Sequence, residues 1–233
     1  MIDWTVVSSL ATAGGTLVLA VATFSAVRSA NRSARIAERS FEIGLRPILA
    51  PSRLEDPPQK VMFRDRHWVV LQGGRAVVEV LDGVVYLAML VRNVGNGMAI
   101  IQAWEPFPGQ RTSSDEWGSI DDFRPQTRAL WIAPGDVAFW QGALRDEDDS
   151  LQKAVSSAVA HDGALTVDLL YFDHEGGQRT VSRFSLVRRE GGRSEGGEGG
   201  EASSDWSGAS GATEAAGNQW WVSLSWHRTL GDT

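Results

Sequence analysis

The chain opens with a long run of apolar and small residues. From Trp4 to Val27 there are 24 residues without a charge, about 36 Å of helix against a hydrocarbon core of about 30 Å. Positive charge follows this run, whereas a cleaved signal peptide carries it before the apolar stretch. The pattern therefore predicts a transmembrane anchor over residues 1–27, with a buried soluble helix or a signal peptide as the alternatives.

The helical pattern continues past the apolar run. Four arginines follow at intervals of four, three and four residues, which places them on one face of a helix. These are Arg28, Arg32, Arg35 and Arg39. The opposite face is apolar and consists of Ala30, Ala34, Ala37 and Phe41. We expect a basic juxtamembrane helix over 28–44 whose arginines contact anionic lipid headgroups. Its apolar face would pack on the domain or on a second copy, forming a homo-oligomer.

Orientation follows from the same arginines. Lys and Arg close to a span stay on the cytoplasmic side of the membrane. We therefore predict a single-pass protein of the cell (inner) membrane, with the N-terminus outside and the main domain cytoplasmic.

Beyond Gly44 and Pro47 the periodicity changes to that of strands. Short runs rich in β-branched and aromatic residues are separated by the glycine turns GG (73–74), DG (82–83) and GNG (95–97). The run 83–94 is apolar on both faces, which is typical of a strand covered on two sides. The pattern predicts a mainly β fold, an immunoglobulin-like antiparallel β-sandwich over 45–187.

One short amphipathic helix near 150–161 interrupts the strands. Leu151, Ala154, Val155, Ala158 and Val159 recur at helical spacing. The acidic run DEDD (146–149) before it could bind a divalent cation, but it lacks an EF-hand's alternation and closing Glu. A helix N-terminus is the preferred interpretation of this run.

The C-terminal part divides into a linker and a strand. Residues 188–218 are a Gly/Ser/Glu-rich linker, whose composition predicts disorder. Residues 219–233 are expected to form a strand that packs on the sandwich. Its apolar face would consist of Trp220, Val222, Leu224 and Trp226.

Composition excludes several classes of function. The chain has no cysteine, which excludes disulfides, thiolate zinc sites and thiol catalysis. Its net charge is −7, which argues against nucleic acid as a partner. We expect no cofactor and no metal.

Several turn motifs carry a family resemblance. LRPIL (45–49), NVGNGMA (93–99), APGD (133–136) and YFDHEGGQR (171–179) follow the basic helix in that order. In this the chain resembles uncharacterised single-span bacterial membrane proteins of actinobacterial type that carry a β-sandwich domain. The resemblance covers most of residues 1–187 and the closing strand. It implies the fold of the domain and gives no information about an activity.

The search for catalytic chemistry yields one weak constellation. Asp173, His174 and Glu175 could form an acid–base pair or a metal site, but neighbouring residues at a hairpin tip point in different directions. GRSEG (192–196) matches a nucleophile elbow but lies in the linker, without the strand and helix that such an elbow needs.

Tryptophan remains as a source of binding surface. Core packing should absorb most of Trp68, Trp104, Trp131, Trp140 and Trp226. Trp117 and Trp206, each in a polar segment, are the candidates for contact with a protein partner.

The sequence thus predicts a membrane-anchored, cytosol-facing interaction or scaffolding module without catalysis. Two alternatives stay open. One is an envelope-facing binder of sugars or proteins, and the other is a hydrolase with a site built from loop Asp, Glu and His.

Overall fold

The computed structural model describes residues 4–111, 119–161, 163–174, 179–188 and 219–230. The chain divides into two compact units, Met1–Leu45 and Arg46–Thr233. In the described part of the first unit there is one helix, α1 (Trp4–Gly44), which continues without a break from the predicted anchor into the predicted basic segment. Within it, Ser8–Glu38 is long and apolar enough to cross a membrane. A membrane anchor and a signal sequence both have these properties.

The second unit is mainly β, as predicted. Its described strands are β1 (Leu49–Pro51), β2 (Gln59–Met62), β3 (Trp68–Leu71), β4 (Arg75–Leu81), β5 (Val84–Asn93), β6 (Ala99–Pro108), β7 (Arg124–Ile132), β8 (Val137–Leu144), β9 (Leu165–Phe172), β10 (Arg179–Arg188) and β11 (Gln219–Leu230). A second helix, α2 (Ser150–Ala160), and a 3₁₀ turn, Ile120–Asp122, join them.

Nine of these strands form one antiparallel sheet. Its continuous path is β8–β5–β4–β11–β10–β9–β6–β7, and β1 pairs with the end of β5 that β4 leaves open. The C-terminal strand β11 lies between β10 and β4, where it pairs with both. The strands β2 and β3 form a separate two-stranded hairpin.

The sheet is curled, so that its two edge strands approach each other. The side-chain amide of Gln126 on β7 donates to the carbonyl oxygen of Gln141 on β8 at 3.1 Å. Register shifts between Ile101 and Ala103 in β6, and between Arg183 and Phe184 in β10, are irregularities of the kind that bend a sheet. The predicted sandwich of two facing sheets is therefore replaced by one sheet that curls around the main core.

The strand β5 is buried on both faces, as its sequence predicted. Val85, Leu87, Met89 and Val91 face the main core. Tyr86, Ala88 and Leu90 face the β2–β3 hairpin, which contributes Val61, Phe63, Val69 and Leu71. The hairpin therefore covers part of the outer face of the sheet.

The predicted glycine turns form by two different means. Gly74 has a φ of 66°, and Asp82 and Gly83 have φ of 50° and 77°, so these two turns use the left-handed region as expected. Neither Asn96 nor Gly97 has a positive φ.

The turn at 95–97 is held instead by the fully buried side chain of Asn93. Its Oδ1 accepts from the amides of Ile48 and Gly95, at 3.2 and 3.1 Å. Its Nδ2 donates to the carbonyl oxygens of Gly97 and Ile132, at 2.6 and 3.0 Å. One amide thus joins the start of the domain, this turn and β7.

The acidic run 146–149 caps α2, which confirms the preferred interpretation. Oδ1 of Asp149 accepts from the amide of Leu151 at 2.9 Å, and Oδ2 pairs with Arg124. The hydrogen bond from Leu151, aided by Arg124, holds the pKa of Asp149 below its usual value. Val155 on the inner side of α2 is fully buried in the main core.

The tryptophans divide between core and surface. Trp104 and Trp140 are buried, as expected, but Trp68 and Trp131 are 45% and 61% exposed, so the expectation was wrong for these two. In β11 the register shift opposite Arg183 moves Trp226 to the face away from Trp220. Trp226 therefore packs on a small outer cluster, and the single apolar face predicted for this strand is wrong at that position.

Candidate functional site

The residues predicted to contact lipid lie along α1. Arg28, Arg32 and Arg35 are exposed on the helix, and Arg39 lies in the helix with its side chain outside the described part. The apolar face that was predicted to contact a second copy is also exposed, and it consists of Ala30, Ala34, Ala37 and Phe41. Phe41 is 67% exposed.

The hydroxyl groups in the apolar part of α1 are satisfied within the helix. They donate to backbone carbonyls three or four residues earlier, at 2.8–3.0 Å, and they belong to Ser8, Ser9, Thr12, Thr16, Thr23 and Ser25. A lipid environment requires this, because it offers polar groups no water. The moderately polar sequence of this helix is therefore compatible with a bilayer.

The predicted partner contacts Trp117 and Trp206 lie outside the described residues, as does Glu175. Asp173 is half-buried and His174 exposed at the end of β9. His67 pairs with Glu79, and His161, the residue that follows α2, contacts the carbonyl of Ser157 in that helix. In the described ranges, no group of three or more His, Asp or Glu residues is arranged to hold a metal ion.

A polar cluster that the sequence did not reveal fixes the β2–β3 hairpin to the sheet. The hydroxyl of Tyr86 donates to Oδ2 of Asp65 at 2.5 Å, and Arg145 approaches the same oxygen at 3.3 Å. His67 Nε2 lies 2.9 Å from Oε2 of Glu79, and its ring contacts that of Tyr86 at a tilt of 38°, with centroids 4.5 Å apart. We call Asp65, His67, Glu79, Tyr86 and Arg145 the hairpin cluster.

The electrostatics of the hairpin cluster favour a structural role. Burial, with the hydrogen bond to Asp65, raises the pKa of Tyr86 to about 12, so its hydroxyl stays a donor. Burial opposes ionisation of Asp65, but the bonds from Tyr86 and the amide of His67, with Arg145, hold its pKa below the usual value. The cluster therefore ties the hairpin tip to β4, β5 and the end of β8.

The outer side of the hairpin is apolar and exposed. Met62 and Trp68 are cross-strand neighbours, as are Lys60 and Val70. Met62, Trp68 and Val70 are 48%, 45% and 46% exposed. The ammonium of Lys60 lies 4.9 Å from the ring centroid of Trp68. We call Lys60, Met62, Trp68 and Val70 the hairpin face.

A second unforeseen feature is a row of charges across three neighbouring strands. Glu105 on β6, Asp168 on β9 and Arg183 on β10 are in register, and we call them the charged row. The guanidinium of Arg183 donates to both oxygens of Asp168 at 2.8 Å, and both side chains are 0% exposed. The aromatic ring of Trp226 lies 5.4 Å from this guanidinium.

Glu105 is the least compensated member of the charged row. Its Oε2 is buried and has no hydrogen-bond partner among the described residues. Burial first, and then the negative charges of Asp122 and Asp168, raise its pKa to about 7. Burial likewise raises the pKa of Asp168, against the opposing effect of Arg183. A signal was present in the sequence for Asp168, which is the one charged residue in the largely apolar strand LTVDLLYF.

Glu105→Gln is expected to flatten the pH dependence of stability. Glu105 titrates near 4.5 when unfolded and about 7 when folded, so between these values the folded protein binds more protons. The contribution of Glu105 to the free energy of unfolding should therefore fall by about 2–3 kcal/mol as pH rises from 5 to 8, and the Glu105→Gln variant should lack this fall. Urea unfolding of the full chain in detergent, followed by tryptophan fluorescence, measures this slope.

The matched control is Glu55→Gln, since Glu55 is exposed. This variant should keep the wild-type slope. A Glu105→Gln protein with the same slope as the wild type would contradict the assignment of a raised pKa to this carboxyl.

The charged row has the composition of an acid–base site but not its accessibility. Active sites use carboxyls with raised pKa values, yet structural ion pairs produce the same shifts. The Asp168–Arg183 pair is sealed, and Glu105 is only 8% exposed. The hairpin face, by contrast, is exposed and brings three apolar side chains and a lysine together.

No family model, no curated protein and no solved structure matches this chain. The resemblance that the turn motifs suggested therefore stays a prediction.

Proposed function

We propose that this chain is a single-pass inner-membrane protein whose β domain is an interaction module. In this proposal α1 is a retained transmembrane helix, the N-terminus lies outside and the β domain is cytoplasmic. The observation that carries the proposal is the character of α1. This helix contains a stretch long enough to span a membrane, and the hydroxyl groups in that stretch donate hydrogen bonds to carbonyl oxygens of the same helix. Exposed arginines follow toward its C-terminal end.

An interaction role for the β domain is supported by the contrast between its two chemical features. The charged row is buried beneath the surface, where it can contribute to a unique fold. The hairpin face leaves three large apolar side chains exposed next to one another, which is typical of a contact surface. The scaffolding role does not require a turnover site.

Site-specific labelling tests the anchor and its orientation. The chain has no cysteine, so a single Thr127→Cys on an exposed part of β7 gives a clean reporter. We expect a membrane-impermeant maleimide to label it only after cell lysis, and the uncleaved chain to stay in the membrane through an alkaline carbonate wash.

A matched variant, Thr12→Cys in the apolar part of α1, should resist the maleimide even after lysis, because lipid surrounds it. Labelling of Thr127→Cys in intact cells would overturn the orientation. Recovery of a shortened chain in the soluble fraction would overturn the anchor and identify a signal sequence.

A further inference from the structure

We propose that the hairpin face, with the basic tip of the same hairpin, docks on the anionic lipid surface of the membrane that holds α1. This inference rests on the proposed function, because the membrane anchor keeps the domain near that surface. The occupant of the face is thus a lipid headgroup layer, and three observations on the hairpin itself support it independently of α1.

The first observation is the chemistry of the hairpin face. Trp68 presents an aromatic ring with a polar N–H, and Met62 and Val70 lie beside it. Tryptophan favours the boundary between hydrocarbon and headgroups, where one end is apolar and the other is wet. The ammonium of Lys60 lies over the ring, so a Trp68 side chain at this boundary would bring a positive charge close to the lipid phosphates.

The second observation is local charge. The hairpin from Gln59 to Leu71 carries Lys60, Arg64 and Arg66 against one acid, Asp65, whereas the whole chain has a net charge of −7. Asp65 is already engaged by Tyr86 and Arg145. The exposed arginines therefore dominate the tip, which is complementary to a negative leaflet.

The third observation is the backbone at the tip. Arg66 has a φ of 67°, a left-handed conformation that costs most side chains free energy and that glycine adopts freely. The tip is otherwise ordinary, closed by a hydrogen bond from the amide of Phe63 to the carbonyl of His67 at 2.8 Å. Because glycine would adopt this conformation at a lower cost in free energy, we infer that the positive charge of Arg66 has a function.

The length of α1 makes the contact reachable. Its 41 residues extend about 62 Å, and a bilayer with its headgroups is about 40–45 Å thick. The helix can therefore carry its last residue no more than about 20 Å beyond the headgroups. A domain the length of Arg46–Thr233 has a radius of gyration of about 16 Å, so its size is sufficient to bridge a distance of about 20 Å.

The test uses the full chain reconstituted into vesicles with an environment-sensitive fluorophore on Met62→Cys. We expect its emission to move to shorter wavelength when the vesicles contain about 30% phosphatidylserine, and to return when salt is raised to about 0.5 M. The same fluorophore on Trp131→Cys, an exposed site on β7, should not respond.

Two variants separate docking from folding. Arg64→Glu with Arg66→Glu should lower the ratio of docked to undocked protein by about 30-fold or more, whereas Arg128→Glu with Arg179→Glu, two exposed arginines elsewhere, should not. Arg66→Gly should stabilise the fold, because glycine suits the positive φ, and yet weaken docking. That opposite response distinguishes a lipid contact from a structural role.

The outcomes that overturn the inference are distinct from failure of the anchor. If the emission of the fluorophore on Met62→Cys is the same with and without phosphatidylserine, an anionic lipid surface is excluded as the occupant. If the emission depends on protein concentration in vesicles that lack phosphatidylserine, the occupant is a second copy of the chain. Loss of the whole chain from carbonate-washed vesicles, whatever the lipid, would instead refute the membrane anchor.

Discussion

Arg183→Met is expected to lower the free energy of unfolding of the β domain by about 3–5 kcal/mol at pH 7, because it leaves Asp168 buried without its cation. Both oxygens of that carboxylate accept from Arg183, and neither side chain reaches solvent. The penalty should be smaller at pH 5, since burial raises the pKa of Asp168 and the variant lacks the guanidinium that opposes this rise. Urea unfolding of the full chain in detergent, at the two pH values, measures both effects.

Two further variants make this prediction specific. The double variant Asp168→Leu with Arg183→Met should recover most of the loss, because a buried ion pair is often replaceable by apolar residues of similar volume. Arg145→Met removes a partner of Asp65 in an exposed pair at 3.3 Å and should cost less than about 1 kcal/mol. A double variant as unstable as Arg183→Met alone would contradict the view that the unpaired charge causes the loss.

Trp140→Ala should cost a similar amount, about 3–5 kcal/mol, by opening a cavity where the curled sheet closes. Trp140 is 0% exposed and meets Trp104 edge to face, with ring centroids 5.3 Å apart. Gly142 makes room for both rings, since a Cβ there would lie 2.8 Å from Trp104 and 2.9 Å from Trp140. The pair links β6 to β8 across the interior, so its loss should loosen the two edges of the sheet.

Trp140→Phe is the matched control. It keeps most of the aromatic volume and removes an indole N–H that has no hydrogen-bond partner among the described residues, so we expect a loss below about 1.5 kcal/mol. Both variants can be followed by fluorescence, because the chain has ten tryptophans. Equal losses for Ala and Phe would show that the site does not depend on filled volume.

The main difference between prediction and structure lies in how the strands are layered. The strand pattern matched the antiparallel, mainly β domain, including the two-sided burial of β5. It suggested two facing sheets because alternation reports which side of a strand is buried, and it does not report what covers that side. The same alternation placed Trp226 on the wrong face, since one bulge in β11, opposite Arg183 and Phe184, shifts the register that periodicity assumes.

The local features of this protein were determined by sequence alone. The uncharged run and the arginine stripe specify α1, and the acidic run specifies the start of α2, because the groups involved are at most four residues apart. The positive φ of Asp82 and Gly83 follows from their own chemistry in the same way.

The charged row and the hairpin face were decided only by tertiary structure. Asp168 and Arg183 become partners through strand register, and Glu105 joins them through a strand that lies far earlier in the chain. Trp68 is exposed because the opposite face of its hairpin covers β5. Burial of a charge or exposure of an aromatic ring depends on which strands become neighbours, and that is settled by the packing of the whole core, which no short stretch of sequence contains.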